Sequence, residues 1–258
     1  FTDFPSGDAI LPNEIMLFSG AQYQGGQPSM SDPHGAQPVP APFDRSAEVE
    51  WSPVWSLREK RFKYIPTGLL YVFYRGPAAE QLASDTNGCA AGNTLEEAIV
   101  QGFLELVERD SYGIWWYNQL QRSEVDLDQL GDSYVRELQI RLAETDRRIW
   151  VLDITSDLRV PSFVAISYWK KDSQEGVEFG SGAHFDARIA LLRALTELNQ
   201  FLAIGLMTGA RVETSSLGGS GPLRLRDLPF LTPIINSAAQ PGFGSKFSHH
   251  DTGEQVID

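Results

Sequence analysis

The chain has 258 residues, 42% hydrophobic and 21% charged, which is ordinary globular composition and enough to bury a sizeable core. A formal net charge of −13 argues against nucleic acid or an anionic membrane surface as partner, although a nucleotide can still be held through a metal ion. The single cysteine, Cys89, leaves no internal disulfide framework and fits a reducing cytoplasm, and no apolar run approaches the roughly 18 residues of a membrane span.

Residues 1–50 are rich in turn formers, among them Pro5, Pro12, Gly20, Gly25, Gly26, Pro28 and Pro33, and read as an N-terminal arm or loop region. Residues 51–258 read as the domain proper, opening at Trp51-Ser-Pro-Val-Trp55. The aromatic and branched runs Arg61–Ile65 and Leu69–Tyr74 predict two strands around a Pro66-Thr-Gly68 turn. Thr94 followed by Glu97 is the capping-box pattern and opens a long helix to about Asn118. Trp115, Trp116 and Tyr117 at its end predict core packing. Helical spacing of Val135, Leu138 and Leu142 predicts a helix over 133–145. Ile149–Ile154 and Pro161–Trp169 predict neighbouring strands, with a third over Glu178–Ala183. Asp186 is a good N-cap for a second long helix, to about Met207, with Leu191, Leu195, Leu198 and Leu202 as its apolar stripe. The Gly/Ser loop 215–221 lacks the Gly-Lys-Ser/Thr of a P-loop, and His249-His250 have no third ligand nearby. The fold class is α/β of the α+β type: a mixed sheet, from strands near 62–74, 149–154 and 162–169, packed against two long helices.

The chemistry concentrates on those helices. At about 100° per residue, Glu97, Gln101, Glu105 and Glu108 share one narrow face of the first, opposite the stripe of Leu95, Ile99, Phe103 and Leu106. No lysine stands between the three carboxylates, and like charges one turn apart cost a few tenths of a kcal/mol per pair. One reading is a solvated acidic face. The other is a cation site, with Glu105 and Glu108 as hard oxygen ligands for Mg²⁺. On the second helix Arg193, Glu197 and Gln200 fall together off the apolar stripe, either as an Arg193–Glu197 surface pair or as a second set of oxygen ligands. Cys89, in Asn87-Gly88-Cys89-Ala90, reads better as a small packed residue near a turn than as a nucleophile, because no base is placed beside it. No G-x-G-x-x-G, H-E-x-x-H, G-x-S-x-G or zinc spacing is present.

The block DTNGCAAGNTLEEAIVQGFLELVERD, followed by WWYN and VDL, resembles the centre of the YcaO family, in particular the azoline-forming cyclodehydratases that act on ribosomally made peptides. WSPVWSL upstream and SGAHFDARIALLRALTELNQ downstream resemble the same branch, so the likeness covers roughly residues 45–210. It implies Mg-ATP bound through an S-x-x-x-E-x-x-E helix and a later E-x-x-Q helix. Carried onto this sequence, Glu105, Glu108, Glu197 and Gln200 are the metal ligands, and the same four with Gln101 bind nucleotide. Gln101 stands where the motif has serine, and Thr86 where many members have serine before Asn-Gly. The implied cofactors are ATP and Mg²⁺. The implied partners are a precursor peptide and a leader-peptide-binding protein or domain, with a homodimer possible and a cytoplasmic location.

The implied reaction is attack of a Cys, Ser or Thr side chain on the preceding amide carbonyl, with ATP-dependent loss of the amide oxygen. Two alternatives stand beside it: thioamide formation by the same amide activation, and a non-catalytic scaffold that docks the peptide. The resemblance also implies that the domain is incomplete at its C-terminal end, so the purified chain is expected to turn over slowly or not at all. Azoline formation on a leaderless peptide at ordinary rates, followed by mass spectrometry, would overturn that expectation.

Overall fold

The computed structural model describes residues 7–24, 39–172, 174–208, 225 and 228–234. The loop 215–221 and His249-His250 lie outside them. The chain divides at Asn87–Gly88 into two compact units.

In the first unit, β1 (Trp51–Ser56) and β2 (Arg61–Pro66) form an antiparallel hairpin, with Trp51 opposite Pro66 and Ser56 opposite Arg61. Residues of the 1–50 region contribute here. Two short helices, α1 (Pro12–Ile15) and α2 (Gly20–Gln24), are formed, and Ala9 bridges Tyr64 of β2 in parallel. Tyr64 donates its N–H to Asp8 O and receives that of Ile10, while Arg61 pairs with Asp8. The strand expected over 69–74 is absent. Pro66 closes the ladder, α3 (Thr67–Leu70) follows at once, and Phe73 takes a positive φ of 64° that a strand does not permit.

The second unit is built on a three-stranded antiparallel sheet in the order β3 (Arg147–Asp153), β4 (Ser162–Lys171), β5 (Gln174–Ala183). The α+β class stands. Every strand pairing is antiparallel, isolated parallel bridges occur at Ala9–Tyr64 and Ser123–Ile234, and the 61–66 strand belongs to the separate hairpin. Alternation sets the two faces. Val151, Phe163 and Ala165 share one core cluster with α5 (Ser133–Ala143) and α6 (Ala187–Thr208), through Val135, Leu138, Leu142, Leu191, Leu195 and Leu198. The opposite face receives α4 (Leu95–Tyr117), with Leu104 and Val107 against Val160 and Ala183. Asp132 and Asp186 cap their helices through Oδ1, as expected for Asp186. No described helix is long and apolar enough to cross a membrane.

The buried side of α4 differs from sequence-based expectation. An amphipathic helix turns its apolar stripe to the core, but on α4 Leu95, Ile99, Phe103 and Leu106 are exposed. The buried positions are Gly102, Leu104, Val107, Glu108, Ser111 and Trp115, so the helix presents the side that carries Glu108. A second helical stripe, Leu104–Val107–Ser111–Trp115, makes this possible, and it ends in an aromatic cluster. Trp115 and Trp116 meet Phe230 edge-to-face at 5.3 and 5.5 Å, and Trp116 meets Phe179 of β5 at 5.7 Å. Tyr117, expected in that core, is exposed. Cys89, expected to be packed, is exposed and free.

Helix α6 lies unusually close to β5. A Cβ built on Gly180 would lie 2.2 Å from Leu198 N and 2.4 Å from Ala194 O, and one on Gly182 2.4 Å from Ala190 O. The helix backbone rests on the strand with no side chain between them. Gly180→Ala is therefore expected to cost about 3 kcal/mol or more, since backbone atoms cannot move aside. Leu104→Ala on α4 costs about 2–5 kcal/mol by cavity formation, and Leu95→Ala on the exposed stripe stays within about 0.5 kcal/mol. Urea unfolding of the three variants tests that order.

Candidate active site

The polar faces of α4 and α6 meet at the outer edge of β5. Val177, Phe179, Ser181 and Ala183 are buried on the α4 side of the strand, while Gly180 and Gly182 face α6. Ser181 pairs with Val164 in register, and its N–H points out from the ladder, where it is accepted by Glu197 Oε2 of α6. Its Oγ lies 2.6 Å from Glu108 Oε1 and 3.0 Å from Glu197 Oε2. Two carboxylates from helices on opposite faces of one sheet thus converge on one serine.

Serine has one hydroxyl proton, and both carboxylates lie within its reach. Burial pushes the Glu108 carboxyl up to about 7, the Ser181 hydrogen bond opposes this, and the charges of Glu197 and Glu105 reinforce it. A protonated Glu108 can donate to Oγ and leave the hydroxyl proton for Glu197. Tyr112, one turn beyond Glu108, is held un-ionised by burial and by the charge of Glu197. It stacks on Trp116 at 6.1 Å.

The remaining candidates are tied less directly. Glu105 Oε1 accepts from Arg109 Nε at 2.9 Å, an i, i+4 pair worth about 0.3–0.5 kcal/mol. The acidic face therefore has a cation of its own after all. Gln101 Oε1 accepts from Arg193 at 2.7 Å, and Arg193 also donates to Ala183 O at 3.1 Å. The Arg193–Glu197 surface pair considered from sequence is not formed; Arg193 crosses to α4 instead. Gln200 is exposed. Among the described residues no three His, Cys, Asp or Glu side chains are grouped closely enough to hold a metal ion by themselves.

Sequence reasoning did not pick out Ser181, Arg109 or Tyr112. The run Gly180-Ser181-Gly182 held the available signal, because small residues inside a strand mark a close backbone approach.

The chain matches the model of the YcaO family, described as ATP- and Mg²⁺-binding cyclodehydratases, over residues 1–249. The chain belongs to the YcaO family. A heterocyclase solved in complex with substrate and cofactor is 41% identical, with a TM-score of 0.75 over 89% of this chain and 31% of its own length. The heterocyclase TruD is likewise 41% identical, with a TM-score of 0.69 over 89% of this chain and 32% of its own. An uncharacterised protein of Methanothermobacter thermautotrophicus is 28% identical over 179 residues, 68% of this chain and 46% of that one. The YcaO chain described here thus spans less than half the length of these relatives.

In the metal-free protein Glu108 has a pH signature. Its folded value near 7 lies above the ordinary 4.5, so the folded state binds the proton more tightly. The stability from that proton is complete below about pH 4.5 and is lost as pH rises through about 7. Unfolding free energy in chelator should fall by a few kcal/mol at most between these limits, and Glu108→Gln should flatten the fall. Urea titrations across the range check both.

Proposed function

We propose that the β5 edge and the facing turns of α4 and α6 form a Mg-ATP site. We propose further that the whole protein uses it to activate a backbone amide in a ribosomally made peptide, converting Cys, Ser or Thr to a thiazoline or oxazoline. The observation that carries this reading is the convergence of Glu108 and Glu197 on Ser181, in a chain of this family. A like-charged pair with Glu108 buried and Glu197 half-buried is favoured by a proton or a cation between its members, and hard oxygen donors suit Mg²⁺. Ser111 Oγ, buried on the same side of α4, has no hydrogen-bond partner among the described residues.

Glu105, Glu108, Glu197 and Gln200 would hold the metal, and Gln101 would join them around the nucleotide. Mg²⁺ commonly takes only one or two protein carboxylates and completes its shell with phosphates and water, so the pair that meets at Ser181, Glu108 and Glu197, is enough to anchor it. When bound, Mg-ATP supplies the phosphoryl group with which the amide oxygen departs. The chain's own residues do the positioning. Glu108 and Glu197 set the acidic floor. Arg193, fixed between Ala183 O and Gln101, and Arg109, held by Glu105, offer guanidinium donors to the triphosphate. Tyr112, Trp115 and Trp116 form a cluster of rings one to two turns beyond Glu108 on the same helix. In the balanced reaction the substrate side chain adds to the preceding amide carbon and loses its proton, the amide oxygen takes the phosphoryl group and leaves as phosphate while ATP becomes ADP, and the amide N–H proton is lost as the ring C=N bond forms. The precursor peptide is the substrate, and a leader-binding domain or protein is the partner that presents it.

Calorimetric titration of ATP with and without Mg²⁺ tests the site. Metal-dependent binding is expected for the chain and is expected to be lost in Glu108→Gln and Glu197→Gln. Equal binding by the variants would sink it. With precursor peptide and partner, loss of one water per ring by mass spectrometry is the expected product, whereas replacement of oxygen by sulfur would identify a thioamide-forming enzyme.

A further inference from the structure

Ser181 stands out on β5. Its row, Val177, Phe179, Ser181 and Ala183, is otherwise apolar, and every member is buried. A small side chain alone would explain the position if the hydroxyl were idle, but it is not. Oγ reaches Glu108 of α4, and both Oγ and N–H reach Glu197 of α6. The flanking Gly180 and Gly182 bring α6 close enough for Glu197 to reach the strand edge.

We propose that Ser181 is a positioning residue for the Mg²⁺-binding carboxylates, its hydroxyl setting the Glu108 oxygens and its N–H the Glu197 oxygens so that both are aimed at one point beyond the strand edge. This rests on the reading of Glu108 and Glu197 as metal ligands. Each helix is anchored on its own face of the sheet, and the Arg193–Gln101 hydrogen bond ties the helices to each other, but it is Ser181 that bonds to both carboxylates. Groups that orient metal ligands without touching the metal commonly govern affinity by about 10- to 100-fold. The N–H contact survives any side-chain change, so the hydroxyl contribution can be isolated. Ser181→Ala removes it at nearly constant volume, and Ser181→Thr keeps it.

The experiment is calorimetry of ATP binding at increasing Mg²⁺ on the full chain and on Ser181→Ala, Ser181→Thr and Glu108→Gln, with thermal unfolding of each. For Ser181→Ala the Mg²⁺ midpoint should rise about 10- to 100-fold, with ATP affinity at saturating Mg²⁺ close to that of the parent. Ser181→Thr should restore most of the midpoint. A lowered unfolding temperature in Ser181→Ala with an unchanged Mg²⁺ midpoint means that serine is there only for its size, and overturns the inference. If Glu108→Gln abolishes metal-dependent binding while Ser181→Ala binds like the parent, the site reading survives and the positioning role falls. If the parent shows no metal-dependent binding, or Glu108→Gln binds as the parent does, the site reading fails and takes this inference with it.

Discussion

The contact on which the second unit depends is backbone against backbone, α6 on β5 at Gly180 and Gly182. Dispensing with side chains at those two positions lets the helix sit nearer the strand than ordinary helix–sheet packing allows. The consequence is chemical as well as mechanical. Glu197 can then pass the outer strand and accept an N–H that β4 leaves unpaired. An open strand edge, usually something a protein must cover, here becomes the place where two helices on opposite faces share a polar centre.

That centre is acidic by construction. Glu108 is buried, Glu197 stands across the same serine, and Glu105 adds its field from one turn away. The nearest cations are engaged elsewhere: Arg109 with Glu105, and Arg193 with Gln101 and Ala183 O. Neither forms a direct ion pair with Glu108 or Glu197. A protein that buried such a pair for stability alone would be better served by apolar residues of the same size. Unbalanced negative charge near a strand edge, flanked by guanidinium groups held slightly apart, is an arrangement suited to a cation carrying phosphates.

Gln101 illustrates how a departure from a motif is absorbed. The motif that the sequence resembles implies a serine at that position. The longer amide reaches Arg193 and draws the two helices together by a second tie, parallel to the one through Ser181. Both ties involve the last residues of β5, one at Ser181 and one at Ala183 O.

Much of this was legible in the sequence. The capping residues Thr94 and Asp186, the strands over 149–154 and 162–169, the two long helices and the family itself follow from local chemistry and from long ordered motifs. Local signals determine these because caps, turns and periodicity act within a few residues. The sequence also placed Glu105, Glu108, Glu197 and Gln200 off the apolar stripes of their helices. Only the tertiary structure decided which side of α4 is buried, because that helix carries two apolar stripes and the choice belongs to the sheet and to Phe230, distant in the chain. Only it separated Glu108 and Glu197, which meet at Ser181, from Glu105, which Arg109 holds, and from Gln200, which is exposed. Helical spacing gives an angle about one axis. It carries no information about a strand more than 70 residues away whose serine lies between two helices, and that placement is a property of packing.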